Sequence, residues 1–171
     1  MAPECGIIAP SMGTWQTFFA TQAGVSAALT GLVFVALSIN LKQILGLPGL
    51  AGRAGEALLL LLFPVVTGLT AVTPQTSVRG LGWQLLAAAA VLAFAVGRIL
   101  RSGRRAAEGR PAREFRSRAA AALAPVGAAL VAGLLMAGGS SQGLWWEAAV
   151  TLLCVTAGVA DAWILLVEIL R

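Results

Sequence analysis

Leu144-Trp-Trp-Glu-Ala-Ala-Val-Thr-Leu-Leu-Cys-Val-Thr-Ala-Gly-Val-Ala-Asp-Ala-Trp-Ile-Leu-Leu-Val-Glu-Ile-Leu170 contains no basic residue, and its only charges are Glu147, Asp161 and Glu168. A helix needs about 20 mainly apolar residues to cross the hydrocarbon core of a bilayer. This run is long enough, so it reads as a transmembrane helix. Turn chemistry sets it off from what precedes, because residues 138–143 read Gly-Gly-Ser-Ser-Gln-Gly.

Working outward, four further stretches qualify: 18–41, 55–73, 81–100 and 119–138. With 144–170 they make five spans in one transmembrane domain covering 1–171. The breaks are legible. Residues 42–54 hold Gly46, Pro48, Gly49 and Gly52, and 74–80 is polar and opens with proline. Composition agrees: 58% of the residues are hydrophobic and 11% charged, against about a quarter charged in a soluble domain. The expected fold is therefore all-α, a five-helix polytopic membrane bundle.

Basic residues orient it. Lys42 and Arg53 bracket the first loop, seven arginines crowd the loop 101–118, and Arg171 ends the chain. Cytoplasmic loops carry such an excess, so the N-terminus is expected outside and the C-terminus in the cytoplasm, with Arg79 alone on the outer side. Trp15, Trp83, Trp145 and Trp146 then fall at the outer interface, where indole rings prefer to sit. The arginine-rich loop reads as a topology determinant beside anionic headgroups. It lacks interleaved aromatics apart from Phe115, so stacking on bases is unsupported and no nucleic-acid partner is expected.

The chain has no histidine and two cysteines. A histidine-based triad and a cysteine–histidine zinc site are both impossible. Cys5 and Cys154 lie at different expected depths, so no disulfide is expected. No cofactor motif is present, and an enzyme is not expected. The partners implied are the lipid bilayer and other membrane proteins, including further copies of the chain.

Helices in lipid associate through small residues. Ala20, Gly24, Ala28 and Gly31 in the first span, Ala89, Ala93 and Gly97 in the third, and Ala129, Gly133 and Ala137 in the fourth form such faces. They read as contacts within the bundle. Pro64 and Pro125 lie inside the second and fourth spans and are expected to kink them. Around these prolines the second–third and fourth–fifth hairpins share a pattern, for which composition alone is the favoured reading and a parallel repeat the minority one.

The stranded polar residues carry most information. A charge near the bilayer centre costs roughly 2.5–3.5 kcal/mol on insertion scales. Glu147, Cys154, Asp161 and Glu168 recur every seven residues, and Thr151 and Gly158 fill the same helical stripe. Glu147 and Glu168 lie near the two ends, within reach of headgroup water. Asp161 lies deeper, roughly 5–10 Å to the cytoplasmic side of the midplane at about 1.5 Å per residue. Arg98 in the third span comes out at about the same depth, so an Arg98–Asp161 ion pair is the leading expectation, and Arg98 snorkelling to the cytoplasmic surface is the alternative. Arg98, Asp161, Glu147 and Glu168 are the candidate intramembrane polar site. The hydroxyls of the first span can bond back to carbonyls of their own helix, and Gln22 is expected near the outer interface.

The segment Ala28-Leu-Thr-Gly-Leu-Val-Phe-Val-Ala-Leu-Ser-Ile-Asn-Leu41 resembles the first span of small uncharacterised multi-pass membrane proteins of actinobacterial type, and Pro48-Gly-Leu-Ala-Gly-Arg53 is similar to their first loop. The resemblance implies a bacterial inner-membrane protein and carries no catalytic residues. Two function classes follow. One is a structural, regulatory or interaction protein of the plasma membrane. The other is a small oligomeric transporter or ion/proton pathway, in which Asp161 carries the ion between Glu147 and Glu168.

Overall fold

The computed structural model describes residues 12–47, 49–74, 77–106 and 112–169. Cys5, Pro48, Arg110, Arg171 and the far end of the fifth expected span lie outside the described residues. Helices α1 (Met12–Ile39), α2 (Leu41–Gly46), α3 (Leu50–Val72), α4 (Val78–Ala106), α5 (Ala112–Ala137) and α6 (Gln142–Ile169) follow one another, with no strand among the described residues. Five of them are long and apolar enough to cross a membrane: Trp15–Ile39, Leu50–Val72, Val78–Arg104, Phe115–Ala137 and Gln142–Glu168. The all-α polytopic architecture expected from the sequence is the one observed. Most spans start earlier than their apolar cores, because helix propagates through flanking polar residues once a turn has formed.

The break at 42–54 is a difference. Most of it is helical, as α2 and the first turn of α3. Leu41-Lys-Gln-Ile-Leu are good helix formers, and the Asn40 carbonyl accepts from the amides of both Gln43 and Ile44. Ile44 is buried in a small cluster with Leu50, Ala54 and Leu165, so α2 folds back over one end of the bundle. The turn 138–143 is the expected one. The Ser140 amide donates to Leu135 O and the Gly139 amide to Met136 O, with Gly139 at φ +87°. This is a glycine C-cap that satisfies the last carbonyls of α5.

Helices α3, α4, α5 and α6 pack each on the next, and α6 returns to α3, closing a four-helix ring; α1 lies outside it, mainly against α3. The ring's centre is filled by Leu60, Phe63, Leu92, Val96, Val150 and Cys154, with alanines between them. Small residues set the approach distances. A Cβ on Gly82 of α4 would overlap the Met136 and Ala137 backbone of α5, and one on Gly158 of α6 would stand 2.7 Å from Leu61 Cγ of α3. Gly133 meets Leu86 in the same way, and Ala89 and Ala129 are buried, so the small faces expected on the third and fourth spans pack the bundle at these positions, whereas a Cβ at Gly97 would meet nothing within 4 Å.

The first-span face does not. Ala20, Gly24, Ala28 and Gly31 are all exposed, and a Cβ at Gly24 or Gly31 would meet nothing within 4 Å. α1 instead turns Trp15, Phe19, Gln22, Ala23 and Ser26 inward. The bulky and polar residues won because the partner face on α3 supplies both a glycine and a hydroxyl. A Cβ on Gly68 would stand 2.7 Å from Phe19 O, and Thr67 bonds Gln22.

Candidate functional site

Two polar layers lie within the bundle. Towards the end that carries Lys42, Arg53, Arg104 and Arg118, the basic end, α3 contributes Arg53 and Glu56. They are three residues apart and share a helical face. Gly158 lets α6 approach α3 closely at Ala57 and Leu61. One turn further along, Asp161 faces Arg53, with Nε to Oδ1 3.9 Å, and Arg53 Nη1 lies 3.7 Å from Glu168 Oε2. Both are ion-pair separations, longer than direct hydrogen bonds, and Arg53 Nε has no hydrogen-bond partner.

Beside this pair Arg118 of α5 reaches across the ring to Glu56. Its Nε and Nη2 both donate to Glu56 Oε2, at 3.2 and 2.5 Å. The Glu56 side chain is 1% exposed and that of Arg118 18%. Glu56, Arg53 and Arg118 are the charges that act on Asp161. The layer is thus a network of two guanidinium and three carboxyl groups joining α3, α5 and α6. Such a network holds buried charges that singly would be too costly to desolvate.

Arg98 takes no part in it. It is exposed on α4, with its guanidinium 5.8 Å from the Phe94 ring centroid. The expected Arg98–Asp161 pair is therefore corrected to Arg53–Asp161. The physical reason is azimuth. α4 packs on α3 and α5 while α6 packs on α3, α5 and α1, so α4 and α6 sit diagonally across the ring, and Arg98 faces outward.

The second layer lies towards the opposite end, where Trp15, Leu81 and Leu144 share one cluster; it is the tryptophan end. Here Glu147, expected within reach of headgroup water, is 1% exposed. Gln22, expected near the interface, is 4% exposed, and Thr67 and Ser26 are equally buried. Gln22 Nε2 donates to Pro64 O at 3.0 Å and to Thr67 Oγ1 at 2.9 Å. Thr67 and Gln22 face the Glu147 carboxyl, yet neither Glu147 oxygen has a hydrogen-bond partner. Gln22 Oε1 and Ser26 Oγ also have none.

Between the layers α6 turns Val150 and Cys154 inward, both fully buried among Leu60 and Phe63; of the two, Cys154 belongs to the stripe read from sequence. Cys154 is a free thiol. The stripe read from sequence thus faces the protein interior along most of its length and emerges at Glu168, whose side chain is 41% exposed. Of the first-span hydroxyls, Thr21, Thr30 and Ser38 each donate to the carbonyl four residues earlier, as Thr151 and Thr156 do on α6, whereas Ser26 Oγ has no hydrogen-bond partner.

Sequence reasoning missed Glu56 and gave Arg53 and Arg118 only a loop role. Two signals were available. Arg53 and Glu56 stand three apart at the start of an apolar run, and Arg118 borders the next-but-one span. Among the described residues, no group of three or more cysteine, aspartate or glutamate side chains is placed to hold a metal ion. No family model matches the chain, and neither a curated protein nor a solved structure matches it.

Proposed function

We propose that this is a non-enzymatic protein of the bacterial plasma membrane that acts by binding other membrane proteins, further copies of itself included, through the outward face of α1. In this reading the N-terminus is outside and the basic end cytoplasmic, as the arginine bias requires. One observation carries it. The Ala20, Gly24, Ala28 and Gly31 face points away from the bundle, with open space at both glycines. In lipid, small residues are what let helix backbones approach, and here the chain's own helices leave that face uncovered. α1 is also the least buried of the five spans.

The test is disulfide or photochemical crosslinking from Gly24→Cys in native membranes. The expected result is a discrete crosslinked species of larger mass. A chain that stays monomeric and uncrosslinked, in membranes where it is folded, contradicts the reading.

A second reading, a small ion or proton pathway, draws on the charges that line the interior side of α6. Against it stand the Arg53 partner of Asp161 and the apolar stretch between the two layers. Flux in proteoliposomes, compared with Asp161→Asn, separates the two readings.

A further inference from the structure

We propose that Glu147, with Gln22 and Thr67, forms an intramembrane binding site for one small alkali cation, reached from the tryptophan end.

The donor chemistry comes first. Gln22 Nε2 is fully engaged with Pro64 O and Thr67 Oγ1, which fixes the amide and leaves Oε1 as its unused atom. The atoms offered are therefore a carboxyl pair, an amide carbonyl and a hydroxyl, all oxygens, and oxygen sets suit hard cations. Gln22, Thr67 and Glu147 are each more than nine-tenths buried. Buried polar atoms are ordinarily satisfied, so three orphaned oxygens on two neighbouring side chains mark a missing partner. Ser26, four residues on from Gln22 along α1, adds a fourth orphan.

Charge sets the valence. Among the described residues no lysine or arginine pairs with Glu147, and Arg79, on the first turn of α4, is exposed beside Gly139. A buried carboxylate without a counter-charge is costly. One monovalent cation neutralises it, whereas a divalent ion would leave an excess positive charge in its place.

A cavity lies on the same side. A cavity of about 140 Å³ at the tryptophan end is lined by Trp15, Phe19, Ala71, Met136 and Leu144. Phe19, Ala71 and Leu144 stand one helical turn nearer the tryptophan end than Gln22, Thr67 and Glu147 on their respective helices, on the same faces. The cavity, with Gln16, Thr73 and Ser77 also on its wall, therefore lies one helical turn from the polar cluster, whose own side chains do not line it. The inference does not rest on the α1 reading.

The experiment is equilibrium binding of radioactive sodium to the full chain in nanodiscs, with potassium as the size control. It is paired with mass-spectrometric mapping of dicyclohexylcarbodiimide labelling at Glu147. The expected result is one sodium per chain, lost in Glu147→Gln and weakened about tenfold or more in Thr67→Val, together with sodium protection of Glu147 from labelling in the native protein. Protection needs no variant, so a misfolded substitution does not obscure it. Sodium that neither binds nor protects means that the gap holds water or a proton only, and overturns the proposal. Binding unchanged in a folded Glu147→Gln overturns it as well.

Discussion

Arg118 and Glu56 show what one side chain does in this bundle. Glu56 is buried almost completely and its Oε2 takes both donors from Arg118. Arg118→Ala leaves a buried carboxylate without its counter-charge, which costs about 3–5 kcal/mol in comparable sites. Detergent denaturation should show a large loss of stability for Arg118→Ala and a much smaller one for the double variant with Glu56→Gln. Equal losses in the two would show that the pair carries no coupling. The same logic separates the two partners considered for Asp161. Arg53→Ala and Asp161→Ala should be non-additive, with a coupling on the order of 0.5–3 kcal/mol, whereas Arg98→Ala should be additive with Asp161→Ala and nearly silent. Additivity in the Arg53 cycle would remove the pair. Of this site, the interior position of Asp161 was legible in the seven-residue stripe, but its partner was not. Counting residues along a helix yields height in the membrane, and Arg98 matches that height. It does not yield azimuth, and the ring closes with α4 diagonal to α6. Glu147 was misplaced for a related reason. Nearness to a helix end predicts water only where no neighbour covers it, and α1 and α3 do.

Among the elements, the pattern of glycines decides how close each pair of helices comes. Gly82→Ala puts a methyl group into the Met136–Ala137 backbone, where no side chain can swing aside. Overpacking of this kind costs typically about 1–3 kcal/mol, so Gly82→Ala should lower the thermal midpoint clearly. Gly97→Ala, which meets nothing within 4 Å, should leave it unchanged. A midpoint shift of equal size in both would mean that α4 and α5 are not in this contact. The five spans themselves were readable because apolar length is a one-dimensional property. The small-residue faces were readable as faces, but not as to what they meet. Gly133 and Gly31 look alike in sequence; one lies against Leu86 and the other faces outward. The short helix α2 was hidden by the glycines around it, since Ile44 is held by tertiary burial rather than by the local pattern.

At the scale of the whole molecule, α3 to α6 make a closed ring with a charged network at the basic end and an apolar middle, and the orphaned polar layer lies where α1 joins α3 and α6. α1 is an outrigger joined through Gln22, Ser26 and Phe19. A helix attached on one face presents its other face to whatever is beside it, and that face carries the small residues that favour close packing in lipid. On the proposed function, assembly runs through this surface. Its most direct measurement compares native protein with Gly31→Leu, solubilised gently from native membranes, for both thermal stability and the mass of the complex. Gly31 is exposed, and a Cβ there would meet nothing within 4 Å among the described residues. The expected result is an unchanged melting profile and loss of the larger species. A Gly31→Leu chain that folds as before and still runs in the same assembly would contradict it.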